Sequence, residues 1–167
     1  MGGGDILELI SLLEGHARLG MPVTLKNKIG HEIEIKCIID TGCATTMLDA
    51  DLAKRYGVKL PETTSINIAN KRYEAQAYKL HKLFIGNLEL DNVFVLGADF
   101  DIDAELRSGM LLGLNVLNNL MYCVDRNKNE ISVKENIFDA IPDKNYPYLH
   151  WFRIDENNEK VYVKLQE

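Results

Sequence analysis

Ile38-Ile39-Asp40-Thr41-Gly42 is the stretch that decides the reading of this chain. Before it, Glu32 to Cys37 alternates polar and apolar, and Ile38 and Ile39 continue apolar, the pattern of a strand that enters a core. A carboxylate therefore stands where a buried strand ends. The hydroxyl of Thr41 can lock the loop that follows, and Gly42 permits a tight turn. Thr45, Thr46, Met47 and Leu48 come next, and a helix is expected over Asp49 to Tyr56.

A second informative stretch lies downstream. Met110-Leu111-Leu112-Gly113 leads into Leu114-Asn115-Val116-Leu117, a short apolar helix, and then into a strand from Leu120 to Asp125. Between the two stretches, Ser65 to Ile68 and Tyr73 to Tyr78 flank Ala69-Asn70-Lys71-Arg72 and read as a hairpin.

With these parts in this order, the chain resembles the retropepsin-like aspartic protease family from about Gly20 to Val133. The resemblance implies a mainly β fold: a closed β-barrel of the acid-protease half-domain type, with short helices and a flap hairpin. It implies an aspartic endopeptidase that hydrolyses peptide bonds in a polypeptide substrate without a cofactor or metal. Asp40 would be the catalytic acid, and Thr41, Gly42 and Gly113 would support its loop. In this family the threonine hydroxyl bonds across a dimer axis to the opposite loop, and the glycine of the closing motif lets the helix pack without a side chain intervening. Cys43, Ala44 and Leu112 would contact substrate beside the acid, and Ile68, Ala69, Asn70 and Lys71 would do so from the flap.

The chain departs from retroviral members in two linked places. They usually read Asp-Thr-Gly-Ala-Asp, where this chain has Cys43 and Ala44, and Gly-Arg-Asn or Gly-Arg-Asp, where it has Leu114 after Gly113. The aspartate and arginine of those enzymes form an ion pair, and here both ends are apolar. Replacing both partners can be nearly neutral, whereas losing one strands a buried charge. The paired change marks a divergent branch, nearer to cellular or bacterial relatives than to viral ones.

Peptide hydrolysis by this chemistry needs two carboxylates sharing a proton, one to deprotonate water and one to polarise the carbonyl. Two such acids in contact cannot both ionise cheaply, so they titrate as a pair. The sequence contains no second Asp-Thr-Gly or Asp-Ser-Gly. A symmetric homodimer would supply Asp40 twice at its two-fold axis. The competing reading is a non-catalytic dimer of the same fold, serving as a peptide-binding or scaffold module. The intact Asp-Thr-Gly argues against it, because a scaffold has no need of an acid pair.

Composition narrows the field further. At 167 residues the chain has the length of one domain, and 46% apolar residues suffice for a sizeable core. A net charge of −6 provides no footprint for nucleic acid. No apolar run reaches the ~20 residues of a membrane span. Residues Met1 to Asp5 lack the basic region and cleavage site of a secretory signal. Three cysteines without framework spacing suit a reducing compartment, so a cytoplasmic location is expected. Neither the cysteines nor the histidines have zinc spacing, and Asp99 to Glu105 lacks the glycine and glutamate of an EF-hand, so it reads as a solvated acidic loop.

Three regions are expected. Residues 1–19 form an N-terminal extension in which Ile6, Leu9, Ile10, Leu13 and Ala17 predict an amphipathic helix. Residues 20–134 form the protease-like domain. Residues 135–167 form a C-terminal extension, a proline-containing loop and then a hairpin from Tyr148–Ile154 and Lys160–Leu165. Cys43 is expected to be a small buried thiol in an alanine's place, with oxidation sensitivity of the site as the sharper alternative. Lys71 and Arg72 read as solvated turn charges, the alternative being a preference for acidic substrates.

Overall fold

The computed structural model describes residues 7–13, 19–68, 70–99, 109–135, 152–154 and 160–162. Among the described residues, fourteen elements follow one another: β1 (Leu7–Ser11), β2 (Gly20–Lys26), β3 (Glu32–Ile39), β4 (Met47–Asp49), α1 (Ala50–Tyr56), β5 (Gly57–Ile68), β6 (Lys71–Ile85), β7 (Leu88–Ala98), β8 (Gly109–Leu112), α2 (Leu114–Leu117), β9 (Leu120–Asp125), β10 (Glu130–Glu135), β11 (Phe152–Ile154) and β12 (Lys160–Tyr162).

The main sheet runs β2-β3-β8-β4-β7-β6-β5, and a further pairing of β2 with β6 closes it. Six strands thus form a barrel, and β5 extends β6 beyond the closure. Closure removes the free edges that an open sheet would leave. The pairings β3–β8 and β4–β7 are parallel and the others antiparallel. The mainly β barrel expected from the sequence is the fold observed.

Alternation explains which side chains fill the barrel. In β3 burial rises along the strand until Cys37, Ile38 and Ile39 are all buried, because β3 passes from solvent to the interior before it reaches Asp40. Leu25, Leu48, Leu80, Leu83, Leu90 and Met110 are fully buried with them. Each such side chain contributes roughly 1.5–3 kcal/mol of burial free energy. α1 is fixed at its start by Asp49, whose Oδ1 accepts from the N–H groups of Asp51 (3.0 Å) and Leu52 (3.4 Å), and Lys54 and Arg55 stand in its last turn.

Residues 7–11 correct the expected N-terminal helix. They form β1, antiparallel to β10, in a small sheet ordered β1-β10-β9. Leu9, Ile10 and Leu12 fit both a helical and a strand period over so short a run. Ile10 and Leu12 are buried while Leu9 is 63% exposed, which is the alternation of a strand. Tertiary pairing decides the matter: Ile10 lies opposite Ile131, and Leu12 exchanges bonds with Asn129, donating from its N–H (2.8 Å) and accepting from Nδ2 (2.9 Å). The remainder of the expected helix, residues 14–18, lies outside the described residues, as does the loop 136–151. Of the expected C-terminal hairpin, Phe152–Ile154 and Lys160–Tyr162 pair antiparallel.

Candidate active site

Asp40 leaves the barrel at the end of β3. Its N–H donates to the carbonyl of Leu112 at 3.0 Å, continuing the parallel pairing of β3 with β8 by one more rung. Its carbonyl accepts from the N–H of Cys43 at 3.1 Å, and its Oδ1 accepts from the N–H of Gly42 at 3.0 Å. The carboxylate is therefore oriented from its own turn. A side chain at Gly42 would meet Asp40 Oδ1 at 3.2 Å. Asp40 is half-buried, whereas Thr41 and Gly42 are exposed on the surface of the single chain.

Gly113 is required by space. Its backbone is extended, at φ −98°, so any residue could adopt it. A Cβ there would stand 2.7 Å from the carbonyl oxygen of Cys43, 2.7 Å from the carbonyl carbon of Thr45 and 2.8 Å from the nitrogen of Thr46. All three are backbone atoms of the loop that follows Asp40. We expect Gly113→Ala to cost about 1–3 kcal/mol through this overlap. Thermal denaturation would read it as a lowered Tm, and an unchanged Tm would show that the loop yields freely.

Two residues that the sequence reading did not single out as a pair hold the loop from inside. Thr46 and Asn115 are both buried. Asn115 Oδ1 accepts from the N–H and from the hydroxyl of Thr46, each at 2.7 Å, and Asn115 Nδ2 donates to the carbonyl of Phe94 at 2.8 Å. Thr46 Oγ1 in turn accepts from the N–H of Gly113 at 3.0 Å. The network ties the acid's loop to β7 and to the start of α2. The signal available in the sequence was a lone amide within apolar Leu114-Asn115-Val116-Leu117.

A groove of about 360 Å³ runs beside this loop. Cys43 and Ala44 line one side, residues Glu62 to Asn67 of β5 the other, and Met47, Phe94 and Leu96 contribute apolar wall. The structure thus brings two of the expected substrate-contacting residues, Cys43 and Ala44, to the groove. It does not bring Leu112 there: that side chain is fully buried, and the residue serves the site through its carbonyl. Ile68 ends β5, and Asn70, with φ 65°, and Lys71 stand at the hairpin tip, beyond the segment that lines the groove. Ala69 lies outside the described residues. Lys71 and Arg72 are exposed, and Arg72 reaches Ser65 Oγ at 3.1 Å.

Cys43 is held as a thiol. Burial pushes its pKa up to about 11, the neighbouring Asp40 charge adds to the rise, and a backbone hydrogen bond at Thr45 opposes it. The thiol donates to the carbonyl of Thr45 at 2.9 Å. Cys37 is wholly buried and shifted in the same direction by burial. Because the thiolate is the reactive form, a raised pKa suppresses reaction at neutral pH. Timed alkylation at pH 7.5 followed by mass spectrometry should therefore label exposed Cys123 first. Labelling of Cys43 should accelerate only as the pH climbs towards about 11. Fast neutral labelling of Cys43 would restore the oxidation-sensitive reading.

The site is thus an acid oriented by its own turn, at the mouth of a parallel strand pair and beside a groove. The profile of the aspartyl protease family matches residues 21–116. The chain belongs to the aspartyl protease family. Asp40-Thr41-Gly42 and the downstream Leu111-Leu112-Gly113 both lie within the matched residues. The matched segment includes the acid's loop, the groove-lining part of β5 and the Thr46–Asn115 network. Among solved structures, the chain is similar to simian foamy virus (mac) protease, a solution structure, with 16% identity and a TM-score of 0.36 over 56% of this chain and 87% of that one. At that degree of overlap the family assignment rests on the sequence match. No curated protein matches the chain. Among the described residues of this aspartyl protease, no helix is long and apolar enough to cross a membrane.

Proposed function

We propose that the protein is an aspartic endopeptidase that works as a homodimer, with Asp40 of each protomer activating one water molecule between them. The carrying observation is the Asp40 carboxylate, oriented by Gly42 N–H at 3.0 Å and anchored through its backbone to Leu112. With a single Asp-Thr-Gly in the chain, the second carboxylate has to come from a second copy. The exposure of Thr41 and Gly42 supports this, since a loop that meets its symmetry mate must lie open on the lone chain. Leu9 and Met121, both exposed on the small sheet, offer apolar surface for assembly.

In the dimer one carboxylate takes a proton from water while the other, protonated, polarises the scissile carbonyl. An extended polypeptide would lie along the groove and pair with β5 by backbone hydrogen bonds, and the β5–β6 hairpin would close over it to exclude water. Ile68, Ala69, Asn70 and Lys71 would act in that closure. The three unpaired thiols fit a reducing, cytoplasmic setting.

The test is cleavage of a diverse peptide library from acidic to neutral pH by wild type and Asp40→Asn, with mass read by light scattering. Cutting by a wild-type dimer and none by the variant is the expected result. A folded dimer that binds peptides without cutting them would make this a binding module instead.

A further inference from the structure

The groove contains one group that the proposed chemistry does not use. β5 slips in its pairing with β6 between Lys59 and Thr63, so Leu60, Pro61 and Glu62 form a bulge. Gln76 pins that bulge, its Nε2 donating to the carbonyl of Leu60 and, at 2.9 Å, to the carbonyl of Glu62. A bulge held in this way re-aims the side chain it carries. Glu62 lines the groove, and its Oε2 is buried without a hydrogen-bond partner among the described residues.

A carboxylate oxygen withdrawn from water and left without a partner is costly, and it is satisfied best by a cation or a donor. No lysine, arginine or histidine lines the groove among the described residues, and none of its hydroxyl or amide donors bonds that oxygen. What the groove does offer is apolar wall from Met47, Phe94 and Leu96, close to an acid at the bulge. A long side chain with an aliphatic stem and a charged head matches both parts, the stem lying on the wall and the head meeting the acid.

We propose that Glu62 is a specificity-determining residue that selects substrates with a lysine or arginine side chain in this groove. The inference rests on the peptidase reading for its use in catalysis, although the recognition itself needs only binding. Glu62 is remote in sequence from Asp40 and takes no part in the proton transfers. It acts by supplying the counter-charge that an entering basic side chain lacks once it leaves water.

The experiment compares, within each variant of the full chain, the kcat/KM for peptides that differ only by lysine against norleucine, scanned through each position of the best library sequence. A ratio taken within one variant does not depend on how much of that variant is active. Wild type should favour lysine at one position by about tenfold, Glu62→Gln should bring that ratio to about one, and Glu62→Lys should favour glutamate there instead. A lysine preference that persists in Glu62→Gln, or no basic preference at any position, overturns the proposal. If wild type cuts nothing, the peptidase reading fails separately. Retention of the same peptides on immobilised protein then decides this one: loss of lysine-dependent retention in Glu62→Gln upholds it, and equal retention by both proteins rejects it.

Discussion

Asp40→Asn should abolish peptide hydrolysis, a loss on the order of 10³-fold or more, while leaving the fold and the assembly state in place. The substitution preserves shape. An amide oxygen can still accept from the N–H of Gly42, as Oδ1 does now at 3.0 Å, and the backbone bond to Leu112 is untouched. What is lost is the group that exchanges a proton with water. Mixing adds a sharper expectation. If dimers exchange subunits and need both aspartates, adding an equal amount of Asp40→Asn should reduce the activity of each wild-type chain to about half. Activity that ignores the added variant would mean that a single chain supplies the whole site. The measurement is initial rate against the ratio of the two proteins at constant total concentration.

That expectation comes from residues legible in the sequence. The strand through Ile38 and Ile39, the acid at its end, the helix capped by Asp49 and the closing Gly113 all depend on local patterns, and each lies where those patterns place it. The parts that escaped depend on contacts between distant segments. The spacing of Ile6, Leu9, Ile10, Leu13 and Ala17 predicts a helix across β1, and the hydrogen-bonding edge that overrides it belongs to β10, far along the chain. β5 and β6 run well beyond the expected strands Ser65–Ile68 and Tyr73–Tyr78, because a bulge at Leu60-Pro61-Glu62, stitched by Gln76, lets the pairing continue to Gly57. Leu112 was expected at the substrate because it adjoins Gly113. Strand alternation and the pairing of Ile39 with Leu112 instead turn its side chain into the core. The bond between Thr46 and Asn115 spans 69 residues, and no local rule announces it.

Asn115→Leu should be among the most destabilising single changes in the molecule, at roughly 3–5 kcal/mol. Leucine matches asparagine in size, so the loss is almost wholly polar. It would leave the N–H and hydroxyl of Thr46 without their acceptor and the carbonyl of Phe94 without its donor, all in a buried setting. Each orphaned group costs about 1–3 kcal/mol, which is why a fully satisfied network is worth more than any one of its bonds. Thr46→Val alone removes the hydroxyl that bonds both Asn115 and Gly113, and it should cost less because the Thr46 N–H keeps its acceptor. The double variant should cost less than the sum of the two, because replacing both partners leaves fewer orphaned groups than the single changes do separately. Urea denaturation of the four proteins gives the coupling directly, the slope m serving to show that the transition stays two-state. Strict additivity would mean that the two side chains stabilise the loop independently. Coupling would identify the buried amide as the part that holds the acid's loop against the barrel, where the sheet hydrogen bonds of β3 have already ended.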